Sequence, residues 1–361
     1  MKTRHTIQHN NPAGPAPRPR PARHLTRRIS GSLAVATALV LTLTACGSGG
    51  TTSASDSTGG PADASGISIG LVTKTETNPY FVKLREAATA EAKAKGATLI
   101  AMAGRTDGDN EGQVSAIENL ITKGVKGILV TPSNSSGVLG AISAARAKGI
   151  VVIALDTATD PATAVDATFA TDNTEAGRLQ GAWVKAALGD QKPSLALLDG
   201  TPGSTVDDQR HQGFLEGFGI KDKDPAILGT AITHGDQTTA QTAMEGLLQR
   251  SPGINGLYTI NEPAARGAYQ AIKAAGKTVA IGSIDGSCTG VAAVKSGEIG
   301  ATVMQFPAKM AQLGVDAVVD FATNGTKVSG FHDTGIQLIT DTPVPGLDSQ
   351  TSEWGAENCW G

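Results

Sequence analysis

The stretch ISIGLVTKTETNPYFVKLREAATAEAKAKG, residues 67–96, decides the fold. It begins with an apolar run typical of a buried strand, continues through a polar turn, and ends in an alanine-rich amphipathic segment closed by glycine. This order predicts a strand followed by a helix. A nucleotide-binding fold would place glycines in the turn, so that the backbone can approach a pyrophosphate. Here the turn holds Asn78 and Pro79 and then Tyr80 and Phe81. We therefore expect a ligand that is recognised by an amide and two rings.

The same alternation of strand-like and helical segments continues along the chain. Helical segments such as SAIENLITKG and AISAARAKG end at glycine, a common helix stop. Strand, helix and strand in this order predict parallel sheets covered by helices on both faces, which is the α/β class. Ten predicted strands fit two sheets better than one: ISIGLV, ATLIAMA, GILVTP, VVIALD, ATFATD, SLALLDG, AILGTAI, GLYTIN, TVAIGSID and ATVMQ.

Residues 1–45 are predicted to be an export signal. Seven basic residues and no acidic one precede an apolar run, residues 33–43, that is too short to span a bilayer comfortably. The following Leu-Thr-Ala-Cys46 is similar to the bacterial lipobox, which predicts a lipoprotein signal and acylation of Cys46. A cleaved signal peptide or short anchor with an incidental Cys46 is the alternative. Residues 46–66 are then the lipidated cysteine and a flexible tether, because their Gly, Ser, Thr and Ala cannot bury a core.

The net charge limits the possible partners. The chain holds 30 basic and 33 acidic residues, and the signal contains seven of the basic ones. The excess of acidic residues after the signal disfavours nucleic acid as a partner. No later stretch is apolar and long enough to cross a membrane, so we expect membrane contact through the lipid anchor only.

Polar side chains follow most of the predicted strands, where an open parallel sheet binds its ligand. Carboxylates, amides and hydroxyls suit the neighbouring hydroxyls of a small ring, and aromatic side chains stack on the C–H faces of a sugar. Some of these residues can instead cap helices, as we expect for Asn173 and Asn261. Together they predict a neutral carbohydrate ligand: Thr73, Thr131, Ser133, Asp156, Asp172, Asn173, Asp199, Asn261, Glu262, Asp285 and Gln305.

Arg210, in VDDQRHQGFLEGF, is a further candidate for the same cleft. Its planar guanidinium can donate to two hydroxyls while an acid holds it in place. A solvated charge on a helix is the alternative.

The sequence does not indicate catalysis. The histidines after the signal, His211, His234 and His332, show no metal-ligand spacing, and no GxSxG motif occurs. AAGKT, residues 274–278, resembles the end of a phosphate-binding loop but lacks its first glycine and follows a helix. We predict no enzyme activity, no metal and no cofactor.

From Ile67 to about Thr340 the chain resembles the ribose-binding type of periplasmic binding protein, the sugar-binding component of bacterial ABC importers. NPYF, ALD, TDN, DQRHQGF, TINE, SIDGS and VMQFP occur in that family's order and spacing. The resemblance implies a type I fold, in which two Rossmann-like lobes with parallel sheets are joined by a three-segment hinge and close over a sugar. It places the sugar contacts on Asn78, Tyr80, Phe81, Asp156, Asp172, Asn173, Arg210, Asn261, Asp285 and Gln305.

Two departures bear on the sugar. Thr157 stands where a ribose binder has arginine, and residues 234–237, HGDQ, lack a ring that the family often has there. The tail GLDSQTSEWGAENCWG and the cysteine in IDGSCTGV look like the fructose-binding branch. Fructose is therefore the preferred substrate, followed by ribose or another pentose or hexose.

By the same resemblance the N-terminal lobe comprises residues 67–170 and 307–335, and the C-terminal lobe residues 171–306 and 336–361. Cys288 and Cys359 form an even pair in an exported protein and are predicted to form a disulfide within the second lobe. Two unrelated thiols are the alternative.

The implied partners are a monosaccharide, an ABC permease and the ATPase subunit of that permease. We expect a monomer on the outer face of the cell membrane. A sensor that presents a sugar or furanose signal to a membrane receptor is the alternative function.

Overall fold

The computed structural model describes residues 65–361. The predicted signal peptide, Cys46 and nearly all of the predicted tether lie outside the described residues. In the part that the structure describes, no helix is long and apolar enough to span a membrane. In chain order the elements are β1 (Ser68–Thr73), α1 (Pro79–Ala94), β2 (Thr98–Ala103), α2 (Asn110–Thr122), β3 (Gly127–Val130), α3 (Leu139–Ala147), β4 (Val151–Leu155), β5 (Ala167–Ala170), α4 (Asn173–Leu188), β6 (Leu195–Asp199), α5 (Thr205–Phe218), β7 (Ile227–Ile232), α6 (Gln237–Arg250), β8 (Gly256–Thr259), α7 (Glu262–Ala274), β9 (Ala280–Asp285), α8 (Cys288–Ser296), β10 (Ala301–Met304), α9 (Pro307–Asn324), β11 (Gly330–Asp333), β12 (Gln337–Ile339), β13 (Ser349–Gln350) and α10 (Ser352–Asn358).

The first lobe is built on a sheet with the strand order β11-β5-β4-β3-β1-β2, in which all pairs are parallel. On one face α1 and α9 pack Leu84 and Met310 against Ile69 of β1. On the other face α2 and α3 pack Leu120 and Ile142 against the sheet. Both faces of the inner strands β1, β3, β4 and β5 are covered, which explains their continuous apolar runs.

The second lobe is built on a sheet with the order β13-β12-β10-β9-β8-β6-β7. Helices α4 and α5 pack Trp183 and Phe214 against Tyr258 on one face, and α6, α7 and α8 cover the other face. Strand β12 runs antiparallel to β10, whereas the other pairs of this sheet are parallel.

The predicted α/β class with two mainly parallel sheets is confirmed. All ten predicted strands are present, and Gly96, Gly124, Gly149 and Gly276 end helices with φ between 63° and 78°. Strands β11, β12 and β13 were not predicted. They have two to four residues each, which is too short for a recognisable apolar run. Strands β11 and β13 lie at sheet edges, whereas β12, with buried Leu338 and Ile339, lies between β10 and β13.

The chain passes between the two lobes after β5, after β10 and after β11. These three connections lie side by side. The Thr171 hydroxyl donates to Gln305 Oε1 (2.9 Å), and the Thr334 amide donates to the Ala170 carbonyl (2.9 Å). They form one narrow joint between the lobes.

Helices α4 and α5 are in backbone contact. A Cβ atom at Gly177 would lie 2.2 Å from the carbonyl oxygen of Arg210, and one at Gly213 would lie 2.1 Å from that of Thr174. Glycine is therefore required at both positions. This contact sets the position of Arg210 relative to α4.

A disulfide joins Cys288, at the start of α8, to Cys359, which follows α10; their Cα atoms are 4.9 Å apart. It ties the last residues of the chain to the second lobe.

Candidate functional site

The carboxyl ends of strands from both sheets meet around a cavity of about 30 Å³ between the lobes. The cavity is lined by Lys74, Asn78, Tyr80, Phe81, Asp107, Asp156, Gly200, Val206, Asp207, Arg210, Gly235, Ile260, Asn261, Asp285 and Gln305.

Eight of the ten predicted site residues line this cavity, and Asp172 and Asn173 do not. Asp172 is exposed, and its Oδ1 accepts from the Glu175 amide (2.9 Å), so it caps α4. The predicted cap at Asn173 is therefore wrong, because α4 begins at Asn173 and Asp172 supplies the capping oxygen. The predicted cap at Asn261 is confirmed, since its Oδ1 accepts from the Ala264 amide (3.0 Å) at the start of α7.

Arg210 is buried and held on two sides. Its Nε donates to Asn173 Oδ1 (2.7 Å), and its Nη1 donates to the Ile260 carbonyl (3.0 Å). Nη2 lies 4.0 Å from Asp156 Oδ1. Asn173 thus orients the guanidinium, whose remaining donors are available at the cavity. The solvated helix charge considered above is excluded by this burial.

Asp156 directly follows β4 and has a left-handed backbone conformation, with φ 65°. Its Oδ2 accepts from the Thr157 hydroxyl (3.1 Å), whereas its Oδ1 is buried without a hydrogen-bond partner. A buried acceptor of this kind costs free energy unless a donor reaches it.

Asp285 and Gln305 form a second polar wall. Gln305 Nε2 donates to Asp285 Oδ1 (3.0 Å). Glu262 lies behind this wall and accepts from the amides of Gly286 (2.9 Å) and Ser287 (3.1 Å). Burial raises the pKa of Asp285 well above its usual value, and the charge of Glu262 raises it further. Burial likewise raises the pKa of Glu262, which its hydrogen bonds offset only in part.

Aromatic rings close the cavity on the side of α1. Tyr80 is buried, and its hydroxyl donates to Met310 Sδ (3.1 Å). Its ring meets Phe81 and Trp360 edge to face, with centroids 5.5 and 5.6 Å apart. Sequence reasoning missed Trp360, because nothing local to the tail indicates that it returns to the site. Burial raises the pKa of Tyr80 well above its usual value, so the hydroxyl remains a donor.

Sequence reasoning also missed three charged residues, Lys74, Asp107 and Asp207. Lys74 is buried, and its Nζ lies 3.7 Å from Asp107 Oδ2. Burial lowers the pKa of Lys74, but the neighbouring carboxylates outweigh it, and the net pKa is raised. Burial raises the pKa of Asp207 to about 6. Lys74 directly follows Thr73, the last residue of β1. Its position immediately after a strand is therefore the signal that could have identified it.

A wider groove of about 700 Å³ adjoins this cavity and shares Asn78, Phe81 and Asp107 with it. Across the cleft, the Ser135 amide donates to the Gly203 carbonyl (2.9 Å). Residues 65–361 contain no cluster of three or more His, Cys, Asp or Glu suited to a metal ion.

Comparison with known proteins shows which family has this architecture. A family model described as a periplasmic binding protein domain matches residues 69–327. The ribose import binding protein of Bacillus subtilis (strain 168) is 31% identical over 273 residues, which cover 76% of this chain and 87% of that protein.

Two solved structures are similar over most of the described chain. A galactofuranose binding protein aligns with a TM-score of 0.72 and 25% identity, covering 81% of this chain and 98% of its own. An ABC transporter solute binding protein from Agrobacterium vitis with bound D-fucose aligns with a TM-score of 0.73 and 25% identity, covering 81% and 100%. These relatives are binding proteins, not enzymes. The chain therefore belongs to the periplasmic binding protein family and, within it, to the ribose-binding type.

Proposed function

We propose that this protein binds a monosaccharide outside the cytoplasm and delivers it to the permease of an ABC importer, whose ATPase subunit drives transport. One observation carries the proposal: carboxylates, amides and aromatic rings from both lobes converge on one cavity. Two carboxylate oxygens of this site, Asp107 Oδ1 and Asp156 Oδ1, are buried without a hydrogen-bond partner. A polyol supplies the donors that such oxygens require.

Entry of the ligand requires the lobes to move apart, because hydrogen bonds join them across the cleft, such as that from the Ser135 amide to the Gly203 carbonyl (2.9 Å). We propose residues 67–170 with 307–335 and residues 171–306 with 336–361 as the two rigid bodies, with the three adjacent connections as the hinge. The hydrogen bonds across the cleft, including that from the Thr205 hydroxyl to the Ala158 carbonyl (2.9 Å), would form as the lobes close on the sugar.

Fructose is the proposed ligand, and ribose or another pentose or hexose is the next choice. The support is the resemblance of the tail and of Cys288 to the fructose-binding branch. Thr157, which replaces the arginine of a ribose binder, donates to Asp156 and offers no guanidinium to a pentose.

The test is titration calorimetry on the purified protein, freed of carried-over sugar by unfolding and refolding with the disulfide intact. The panel is D-fructose, D-ribose, D-allose, D-xylose, D-glucose, D-galactose and myo-inositol. We expect one sugar to bind at one site per chain, and Asp156→Asn to weaken that binding. If a folded sample binds none of the panel sugars, monosaccharide binding is contradicted. If another sugar binds more tightly than fructose, that sugar replaces fructose as the proposed ligand.

Transport and anchoring need a separate experiment in cells. Uptake is measured with a labelled form of the sugar that the protein binds. Deletion of the gene should abolish this uptake. A plasmid copy of the wild-type gene should restore it, whereas a copy that encodes Asp156→Asn should not. We propose that lipid on Cys46 holds the protein, as a monomer, at the outer face of the membrane. Cys46→Ser should release it into the medium with its sugar affinity unchanged; retention at the membrane would contradict the anchor.

A sensor that presents a furanose to a membrane receptor is the second candidate. The similarity to a galactofuranose binding protein supports only the furanose as a possible ligand. Unchanged sugar uptake in the deletion strain, together with loss of a sugar-dependent transcriptional response, would select the sensor.

A further inference from the structure

Trp360, the penultimate residue, connects both lobes at the edge of the proposed sugar site. Its indole N–H donates to the backbone carbonyls of Asp285 (3.1 Å) and Gln305 (3.0 Å), whose side chains line the cavity. Its ring meets that of Tyr80, from the first lobe, edge to face. One buried side chain outside the predicted set therefore contacts three residues of the site.

The second lobe holds Trp360 through its backbone. The Cys288 amide donates to the Trp360 carbonyl (2.9 Å), and Ser287 pairs with Trp360 as a parallel bridge. The neighbouring disulfide from Cys288 to Cys359 adds a covalent tie. Trp360 therefore stays with the second lobe, and its contact with Tyr80 is made across the cleft.

We propose that Trp360 is a positioning residue of the sugar site, which directs Asp285 and Gln305 towards the ligand and holds Tyr80 in the closed cleft. This inference rests on the proposed function. Two carbonyls occupy the only hydrogen-bond donor of the indole, so Trp360 acts through these residues rather than by donating to the sugar. Because Gln305 Nε2 donates to Asp285 Oδ1, displacement of either backbone alters both side chains.

Trp183 provides a matched control. It is buried in the second lobe, its indole N–H donates to the Thr342 carbonyl (3.1 Å), and it does not line the cavity. Trp360→Phe and Trp183→Phe each remove a buried N–H donor and keep a ring. A merely structural role for Trp360 predicts a similar loss of thermal stability in both variants and no difference in affinity.

The first readout is the Kd for the panel sugar that binds the wild-type protein. We expect Trp360→Phe to raise it about tenfold, because Asp285 and Gln305 must then be ordered when the sugar binds, at a free-energy cost of about one buried hydrogen bond. Trp183→Phe should leave it unchanged within about twofold, as expected for a distant site. Equal Kd values for the two variants would overturn the proposal.

The second readout, hydrogen exchange without sugar, is independent of the ligand. We expect the amides of residues 286–288 and of Gln305 to exchange about tenfold faster in Trp360→Phe than in wild type, because the adjacent carbonyls lose their donor. Trp183→Phe should leave these amides unchanged. If no panel sugar binds the wild-type protein, the proposed function fails, but the exchange rates still test whether Trp360 positions Asp285 and Gln305. Faster exchange supports the positioning role, and unchanged exchange overturns it.

Discussion

Replacing Asp156 separates ligand binding from folding. Its φ of 65° lies in the left-handed region, which costs most L-residues about 1–2 kcal/mol, although Asp and Asn visit it more readily. Its Oδ1 is buried without a partner, and the nearest cation, Arg210 Nη2, lies 4.0 Å away. Neither feature favours the fold, so we infer that the carboxylate serves the ligand.

Asp156→Asn keeps the size of the side chain and its tolerance of this backbone conformation. A hydrogen bond to a charged group contributes about 1.5–3 kcal/mol, so the substitution should weaken sugar binding about 10- to 150-fold. The free energy of unfolding should change by no more than about 1 kcal/mol, because no hydrogen bond of Oδ1 is lost. Calorimetry measures the affinity, and urea unfolding measures the stability.

The controls are Asp172→Asn and a pair of truncations at position 156. Asp172 is an exposed carboxylate outside the cavity, and asparagine keeps its capping oxygen, so its variant should retain wild-type affinity. Asp156→Gly and Asp156→Ala should both lose affinity, but the glycine variant should be more stable by about 1 kcal/mol, because glycine adopts positive φ without strain. Equal sugar affinity in Asp156→Asn and Asp172→Asn would refute this reasoning.

Three further predictions concern stability. Replacing both cysteines of the disulfide by serine should lower the free energy of unfolding by about 4 kcal/mol on the chain-entropy model for a separation of 71 residues, and urea unfolding showing no loss would contradict it. The hydrogen bond with Asp199 raises the pKa of His211 to about 9, so its stabilisation is complete below pH 6.5 and is lost as the pH rises towards 9. His211→Gln should remove this pH-dependent part of the free energy of unfolding, about 1–2 kcal/mol after allowance for the partial exposure of His211. If the variant and the wild type show the same stability at every pH, the prediction is contradicted. Gly177→Ala should destabilise the protein by about 1–3 kcal/mol or more, because the added Cβ would collide with α5. Gly140→Ala, on α3, should not destabilise it, because its Cβ would point into open space. Equal thermal unfolding of the two variants would disprove the close contact.

The candidate site shows where strand-end reasoning succeeds and where it does not. Asp156 and Gln305 follow buried strands and Asp285 ends one. Parallel strands bring their carboxyl ends to one edge, so these residues meet at the cavity. Asp172 also follows a strand, but its carboxylate turns to the first amides of α4. A cap and a ligand contact require the same residue types at the same position, so local pattern cannot separate them.

The α/β class, the ten predicted strands and the glycine helix stops follow from side-chain periodicity, which is a local property of the chain. The short strands β11 to β13, the return of Trp360 to Tyr80 and the glycine contact between α4 and α5 do not. These features depend on contacts between residues far apart in the chain, and their free energy comes from burial that exists only after both lobes and the tail have packed. Periodicity along the whole chain therefore sufficed for the kind of fold, whereas the residues that orient the proposed ligand contacts could be identified only in the folded chain.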